Sequence, residues 1–95
     1  MPKFHVRDTF EITDRNLFVM AGSIVEGEVR TEMFVRIPLF SSHGVQLRIH
    51  CIEFARRQDG EDVCLCIERG PNFAEILRGL NVTGQTLEVT ADPSA

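Results

Sequence analysis

Residues 49–68 read IHCIEFARRQDGEDVCLCIE, with apolar side chains at alternate positions on both sides of an Asp-Gly pair. A period of two is typical of half-buried β-strands. An Asp-Gly pair between two such runs is a strong short-range signal for a β-hairpin. The sequence therefore predicts two antiparallel strands that meet in a tight turn at Asp59 and Gly60.

The position of the turn sets which residues of the hairpin face each other. With the Asp-Gly pair as a two-residue loop, counting outward sets Glu53 opposite Cys66 and Cys51 opposite Glu68. Since side chains alternate across a strand, all three cysteines then share a face with Glu53, and no two of them lie directly opposite each other. We expect Cys51, Cys64 and Cys66 to pack as small residues; a metal or thiol site built from them is the alternative.

The same period of two marks four more strands outside the hairpin. The first is broken or bulged near Asp8, and Pro38 ends the third because proline cannot donate to a strand ladder. Gly22 lies inside a strand pattern, where glycine usually marks a bulge or a close backbone approach, and Gly27 marks a tight connection that needs positive φ. The predicted elements are strands over residues 4–12, 17–26, 33–37 and 85–89, a turn at 13–16, the start of a long strand at 45–49, and a helical segment over 72–80.

Six or more short strands at spacings near ten residues favour a sandwich or a barrel. In a chain of 95 residues, closing the sheet removes edge strands that would otherwise pair with other chains. We therefore expect an all-β fold, a small closed barrel of mainly antiparallel strands with one short helical segment. It forms a single domain over residues 1–95, with a flexible end at 91–95. Phe10, Phe18, Phe34 and Phe54 alternate with polar neighbours, which predicts that they belong to the core.

Composition excludes several classes of function. The formal net charge is −4, and no basic run exceeds Arg56-Arg57, so a protein that binds nucleic acid through bulk charge is not expected. The start, MPKFHVRD, lacks the apolar region of a signal peptide, and no run approaches the length of a membrane span. Three cysteines do not form a secreted disulfide framework. These features predict a cytoplasmic protein without membrane contact.

The order of short motifs along the chain resembles the second-domain β-barrel of translation elongation factor Tu and related translation GTPases. That family has a Phe-x-Ile strand, a glycine-containing turn, a TG-containing hairpin, a GIEMF strand, an LLRG strand and a final RGQVL segment. Asp14 and Asn16 stand where the family's turn has glycines, and Asn tolerates the left-handed backbone region. The matching positions are Phe10, Ile12, Arg15, Gly22, Gly27, Glu53, Phe54, Arg69, Gly70, Gly84 and Gln85.

The resemblance implies a docking module, because the family barrel contacts the aminoacyl end of transfer RNA in one member and ribosomal surfaces in others. The chain lacks the GxxxxGK[ST] loop needed for phosphoryl chemistry, the GxSxG elbow of hydrolases and any histidine pair with metal-ligand spacing. We therefore expect no enzyme activity and no cofactor.

Three function classes remain from the sequence. The first is a stand-alone binding module for a protein or ribonucleoprotein surface. Its RNA-binding alternative is an accessory protein that binds the ribosome or transfer RNA. The second is a self-associating barrel, a homodimer, and the third is the cysteine-based site. We expect no binding to generic RNA. The candidate binding residues are Arg48, Arg56, Arg57 and Arg69.

Overall fold

Seven strands form one antiparallel sheet in the computed structural model, which describes residues 2–37, 45–70 and 82–91. Each strand overlaps a stretch that the sequence predicts to be extended. The strands are β1 (Lys3–Ile12), β2 (Leu17–Glu26), β3 (Phe34–Ile37), β4 (Val45–Arg48), β5 (Cys51–Arg57), β6 (Gly60–Glu68) and β7 (Thr86–Thr90). The predicted helical segment at 72–80 and the predicted flexible end, apart from Ala91, lie outside the described residues.

The strand order is β4-β3-β7-β1-β2-β6-β5, which confirms the all-β class but not the closed barrel. The hydrogen-bonded order of the described strands has two ends, β4 and β5. These two strands are consecutive in the chain, and only Ile49 and His50 separate them. The N–H of Ile49 donates to the Met33 carbonyl and that of His50 to the Cys66 carbonyl, both at 2.8 Å. The chain from β4 to β5 therefore changes its hydrogen-bonding partner from the β3 side to β6 within these two residues. It forms no continuous ladder of hydrogen bonds that would join the two ends of the sheet.

The glycine and turn predictions are confirmed where β1 meets β2. The β1–β2 register shifts between Val6 and Asp8, which is the predicted irregularity. Gly22 is paired with Val6, and a Cβ on it would overlap the carbonyl oxygen of His5. Gly27 has φ +73, and Asn16, at the end of the turn, has φ 55.

Both faces of the first six residues of β2 are buried, so this part of the sheet has apolar residues on either side. The buried run is Leu17 to Gly22, and the last four residues of the strand are exposed. One face belongs to the main core, which includes Phe4, Met20, Val35, Leu65 and Val89. The opposite face belongs to a smaller cluster that consists of Leu17, Val19, Ala21, Cys64 and Cys66, with Ile12 and Cys51 packed against it.

Two of the four phenylalanines predicted to be core residues are on the surface instead. Phe18 is buried and Phe34 half-buried, but Phe10 is 45% exposed and Phe54 is 65% exposed. Phe54 lies on the end strand β5, and Phe10 lies on β1 beyond the three residues that pair with β7. Alternation shows which side chains lie on the same face of the sheet. To be buried on that face, a side chain also needs a neighbouring strand on each side of its own strand.

None of the described residues belongs to a helix that is long and apolar enough to cross a membrane.

Candidate functional site

The β5–β6 hairpin has a register two residues away from the predicted one. Arg57 pairs with Gly60, so Gln58 and Asp59 occupy the tip. The two turn residues are thus Gln58 and Asp59, one position earlier than the predicted Asp59 and Gly60. A shift of two leaves every side chain on its predicted face but gives it a new partner across the strands. The prediction that no two cysteines are directly opposed is therefore wrong, because Cys51 pairs with Cys66.

Two thiols and one carboxylate converge on the face of the hairpin that carries the smaller cluster. The Sγ atoms of Cys51 and Cys66 and a carboxylate oxygen of Glu53 all lie within 4.8 Å of one another. The Cys51 thiol donates to Glu53 Oε2 at 3.7 Å. Cys51 is half-buried, Glu53 is exposed and Cys66 is only 1% exposed. We call these three residues the Cys51–Glu53–Cys66 group; of the three predicted cysteines, Cys64 lies outside it.

Ionisation within this group is set by one arginine and by burial. Arg15 Nη2 donates to Glu53 Oε2 at 2.8 Å, and this hydrogen bond lowers the pKa of the Glu53 carboxyl. Burial, with a smaller contribution from the hydrogen bond with Cys51, raises the pKa of Cys66 to about 12. Burial also raises the pKa of Cys64. Both buried cysteines are therefore neutral thiols at pH 7.

The four candidate arginines do not come together in one patch. Arg57 lies at the tip of the hairpin and Arg69 lies beyond the far end of β6, a strand of nine residues. At about 3.3 Å per residue they are separated by more than about 25 Å. Arg48 lies on β4, and Arg56 is placed across from Glu61.

Three of these arginines already have carboxylate partners. The ion pairs are Arg48 Nη2 with Glu32 Oε1 at 3.2 Å, Arg57 Nε with Asp62 Oδ1 at 3.0 Å, and Arg69 Nη1 with Glu11 Oε2 at 3.2 Å. Arg56 has no ion pair within residues 2–37, 45–70 and 82–91. Most of the predicted positive surface is therefore neutralised locally.

Asp62 is a buried carboxylate whose environment the sequence does not reveal. It is 3% exposed and lies between Arg57 and Arg7. Arg7 Nε donates to its Oδ1 at 3.2 Å, and Arg7 Nη2 pairs with its Oδ2. The hydrogen bonds from Arg7 lower the pKa of Asp62, and the charge of Arg57 adds to this effect. Arg7 is the residue skipped where the β1–β2 register shifts, so the ion pair joins this irregularity to the hairpin.

No strand of residues 2–37, 45–70 and 82–91 pairs with the outer side of β5. Among the described residues β5 pairs with β6 alone, and every residue from Glu53 to Asp59 is exposed. Phe54 lies near the middle of the strand. The register places it in one row with Val63, which is half-buried, and Gly22. We call the exposed strand from Glu53 to Arg57, with the ring of Phe54, the β5 edge.

No protein-family model, no curated protein and no solved structure matches this chain.

Sequence reasoning identified the cysteines and the arginines but missed the β5 edge and the buried Asp62. Phe54 looked like a core residue because its neighbours alternate correctly. A signal for its exposure was present in the flanking Glu53, Arg56 and Arg57, since charged residues are a usual feature of edge strands.

Proposed function

We propose that this chain is a non-catalytic binding module that docks a protein partner on the β5 edge. The observation that carries the proposal is the 65% exposure of Phe54 on the end strand of the sheet. A single exposed apolar residue is ordinary on a protein surface. An exposed aromatic ring on a strand with an open outer side combines a side-chain anchor with a row of backbone hydrogen-bonding groups.

The partner that fits this surface is an extended segment of another protein. Such a segment adds to an exposed sheet edge as a further strand: main-chain hydrogen bonds supply affinity, and alternate side chains supply specificity. Phe54 then packs against an apolar side chain of the partner. Arg56, which has no ion pair in the described part of the chain, favours an acidic residue beside it.

A protein partner is preferred over RNA because of the charges. The chain has a net charge of −4, and Arg48, Arg57 and Arg69 are each paired with a carboxylate. Affinity for nucleic acid depends mainly on free Lys and Arg that neutralise phosphates. The resemblance to the second domain of translation elongation factor Tu supports a docking role of the same kind.

The test compares three versions of the chain as baits in an extract of the cell that makes it. Phe54→Ser removes the proposed anchor, while Phe10→Ser removes another exposed phenylalanine away from β5. Loss of a central aromatic anchor typically weakens binding by about 2 kcal/mol or more, roughly 30-fold. We expect one partner to be retained by the wild type and Phe10→Ser and to be lost by Phe54→Ser.

Equal recovery by all three baits contradicts the proposal. Light scattering of the purified chain at tens of micromolar adds a second readout. A dimer that dissociates in Phe54→Ser but persists in Phe10→Ser would make the occupant a second copy of the chain and would contradict a different protein as partner.

A further inference from the structure

The Cys51–Glu53–Cys66 group has the donor set of a zinc site. Zinc in proteins is bound by cysteine thiolates, histidine nitrogens and carboxylate oxygens, usually with four ligands in a tetrahedron. Two sulfurs and one carboxylate oxygen satisfy three of the four positions. Soft thiolate ligands exclude magnesium and calcium, which take oxygen ligands.

The spacing of the three donor atoms fits this geometry after small side-chain rotations. With Zn–S distances of about 2.3 Å, tetrahedral coordination holds two sulfurs about 3.8 Å apart. The donor atoms of the group lie within 4.8 Å of one another, and Cys51 Sγ is 3.7 Å from Glu53 Oε2. The backbone already brings them together, because Cys51 and Cys66 are directly opposed and Glu53 lies two residues along β5 on the same face.

The surroundings provide an entry path and an outer shell. Cys51 is half-buried and Glu53 is exposed, so an ion can approach from solvent, while Cys66 forms the floor of the site. Arg15 holds Glu53 Oε2 at 2.8 Å. An outer hydrogen bond of this kind fixes the orientation of a ligand carboxylate.

We propose that Cys51, Glu53 and Cys66 bind one zinc ion, with the fourth position left to water or to a group from outside the chain. Glu53 belongs both to this site and to the β5 edge, but the docking anchor Phe54 projects from the opposite face of the hairpin, since side chains alternate along a strand. Binding deprotonates both thiols and releases their protons to solvent, as in other zinc–thiolate sites.

The test is a titration of the reduced, metal-free protein with Co²⁺, followed by displacement with Zn²⁺. Cobalt bound to thiolates shows a sulfur-to-metal charge-transfer absorption in the near ultraviolet, which a site without thiolate ligands lacks. We expect this absorption to saturate at one equivalent and to disappear when zinc is added. Competition with a chromophoric chelator then gives the zinc affinity.

Variants assign the ligands. Cys51→Ser removes one thiolate and should weaken zinc binding by more than the roughly 10- to 100-fold typical of an outer-shell change. Glu53→Gln should also weaken it, and its exposed position keeps the fold intact. Cys64→Ala is the matched control: this cysteine shares the same face but not the donor group, so binding should be unchanged.

Two results would overturn the proposal. One is the absence of charge-transfer absorption in protein whose three thiols are shown to be reduced. The other is a Cys64→Ala variant that remains folded by circular dichroism yet loses as much affinity as Cys51→Ser.

Discussion

Gly22 shows at the scale of one residue how the sheet is assembled. Its missing side chain lets the backbone of β1 pass close to β2 beside the shifted register, and a Cβ there would overlap the carbonyl oxygen of His5. Because that neighbour is backbone, the strain cannot be relieved by a rotamer change. We expect Gly22→Ala to lower the free energy of unfolding by at least about 3 kcal/mol, the upper range for overpacking.

Urea denaturation measures this change. Ser23→Ala is the control, since Ser23 is the next residue of β2 and is exposed; a surface change of this kind stays within about 0.5 kcal/mol. Equal stability of the two variants would show that β1 and β2 do not approach in this way.

Asp62 makes stability depend on pH through its two arginine partners. Its pKa in the folded chain lies below the unfolded value, so its ionised form stabilises the fold above the ordinary aspartate pKa of about 3.9. That contribution is lost as the pH falls through the folded pKa. Glu53, whose pKa is lowered by Arg15, acts in the same direction.

We therefore expect the free energy of unfolding to decrease between about pH 5 and pH 2, and to decrease less steeply in Asp62→Asn. Asp62→Asn should also be less stable at pH 7, because it leaves Arg7 and Arg57 without their buried partner. Asp59→Asn, at the exposed tip of the hairpin, should follow the wild-type curve. Parallel curves for Asp62→Asn and the wild type would rule out this role of the ion pair.

At the scale of elements, the hairpin gives the three thiols different accessibility. Cys51 is half-buried on the end strand, whereas Cys64 and Cys66 are buried in the smaller cluster. We expect one thiol per native, metal-free chain to react rapidly with a maleimide and the other two to react only in denaturant. Peptide mass spectrometry should locate the fast label at Cys51. Rapid labelling of two or three thiols would show that this face of the sheet is open.

The elements were predictable from the sequence where they depend on local pattern. The boundaries of β2 and the turn before it follow from the continuous apolar run that begins at Leu17 and from the tolerance of Asn16 for the left-handed region. The hairpin register was not predictable from the alternating pattern. A loop at Gln58-Asp59 and a loop at Asp59-Gly60 place the same side chains on each face of the hairpin and differ only in which residues pair across the strands. The convergence of Cys51 with Cys66 depends on that choice, so the sequence predicted a cysteine-based site only as an alternative and did not identify Glu53 as its third member.

At the scale of the whole molecule, the described strands form a sheet with two ends and a surface on which most of the candidate arginines are paired. We expect no measurable binding of transfer RNA or mixed-sequence single strands at about 150 mM salt, because the net charge is −4 and three of the four candidate arginines are paired with carboxylates. A fluorescence titration with labelled RNA measures this. Micromolar binding that weakens steeply with added salt would favour a ribonucleoprotein partner instead.

Crosslinking from Phe54 distinguishes a docking module from a sheet that merely ends at β5. Replacing Phe54 with a photoreactive benzoyl-phenylalanine, in the cell that makes the chain, places the probe at the proposed anchor, and the same replacement of Phe10 is the control. After irradiation, we expect one discrete adduct with another protein from position 54 and none from position 10. No adduct at position 54, or the same adduct from both positions, would contradict docking on the β5 edge.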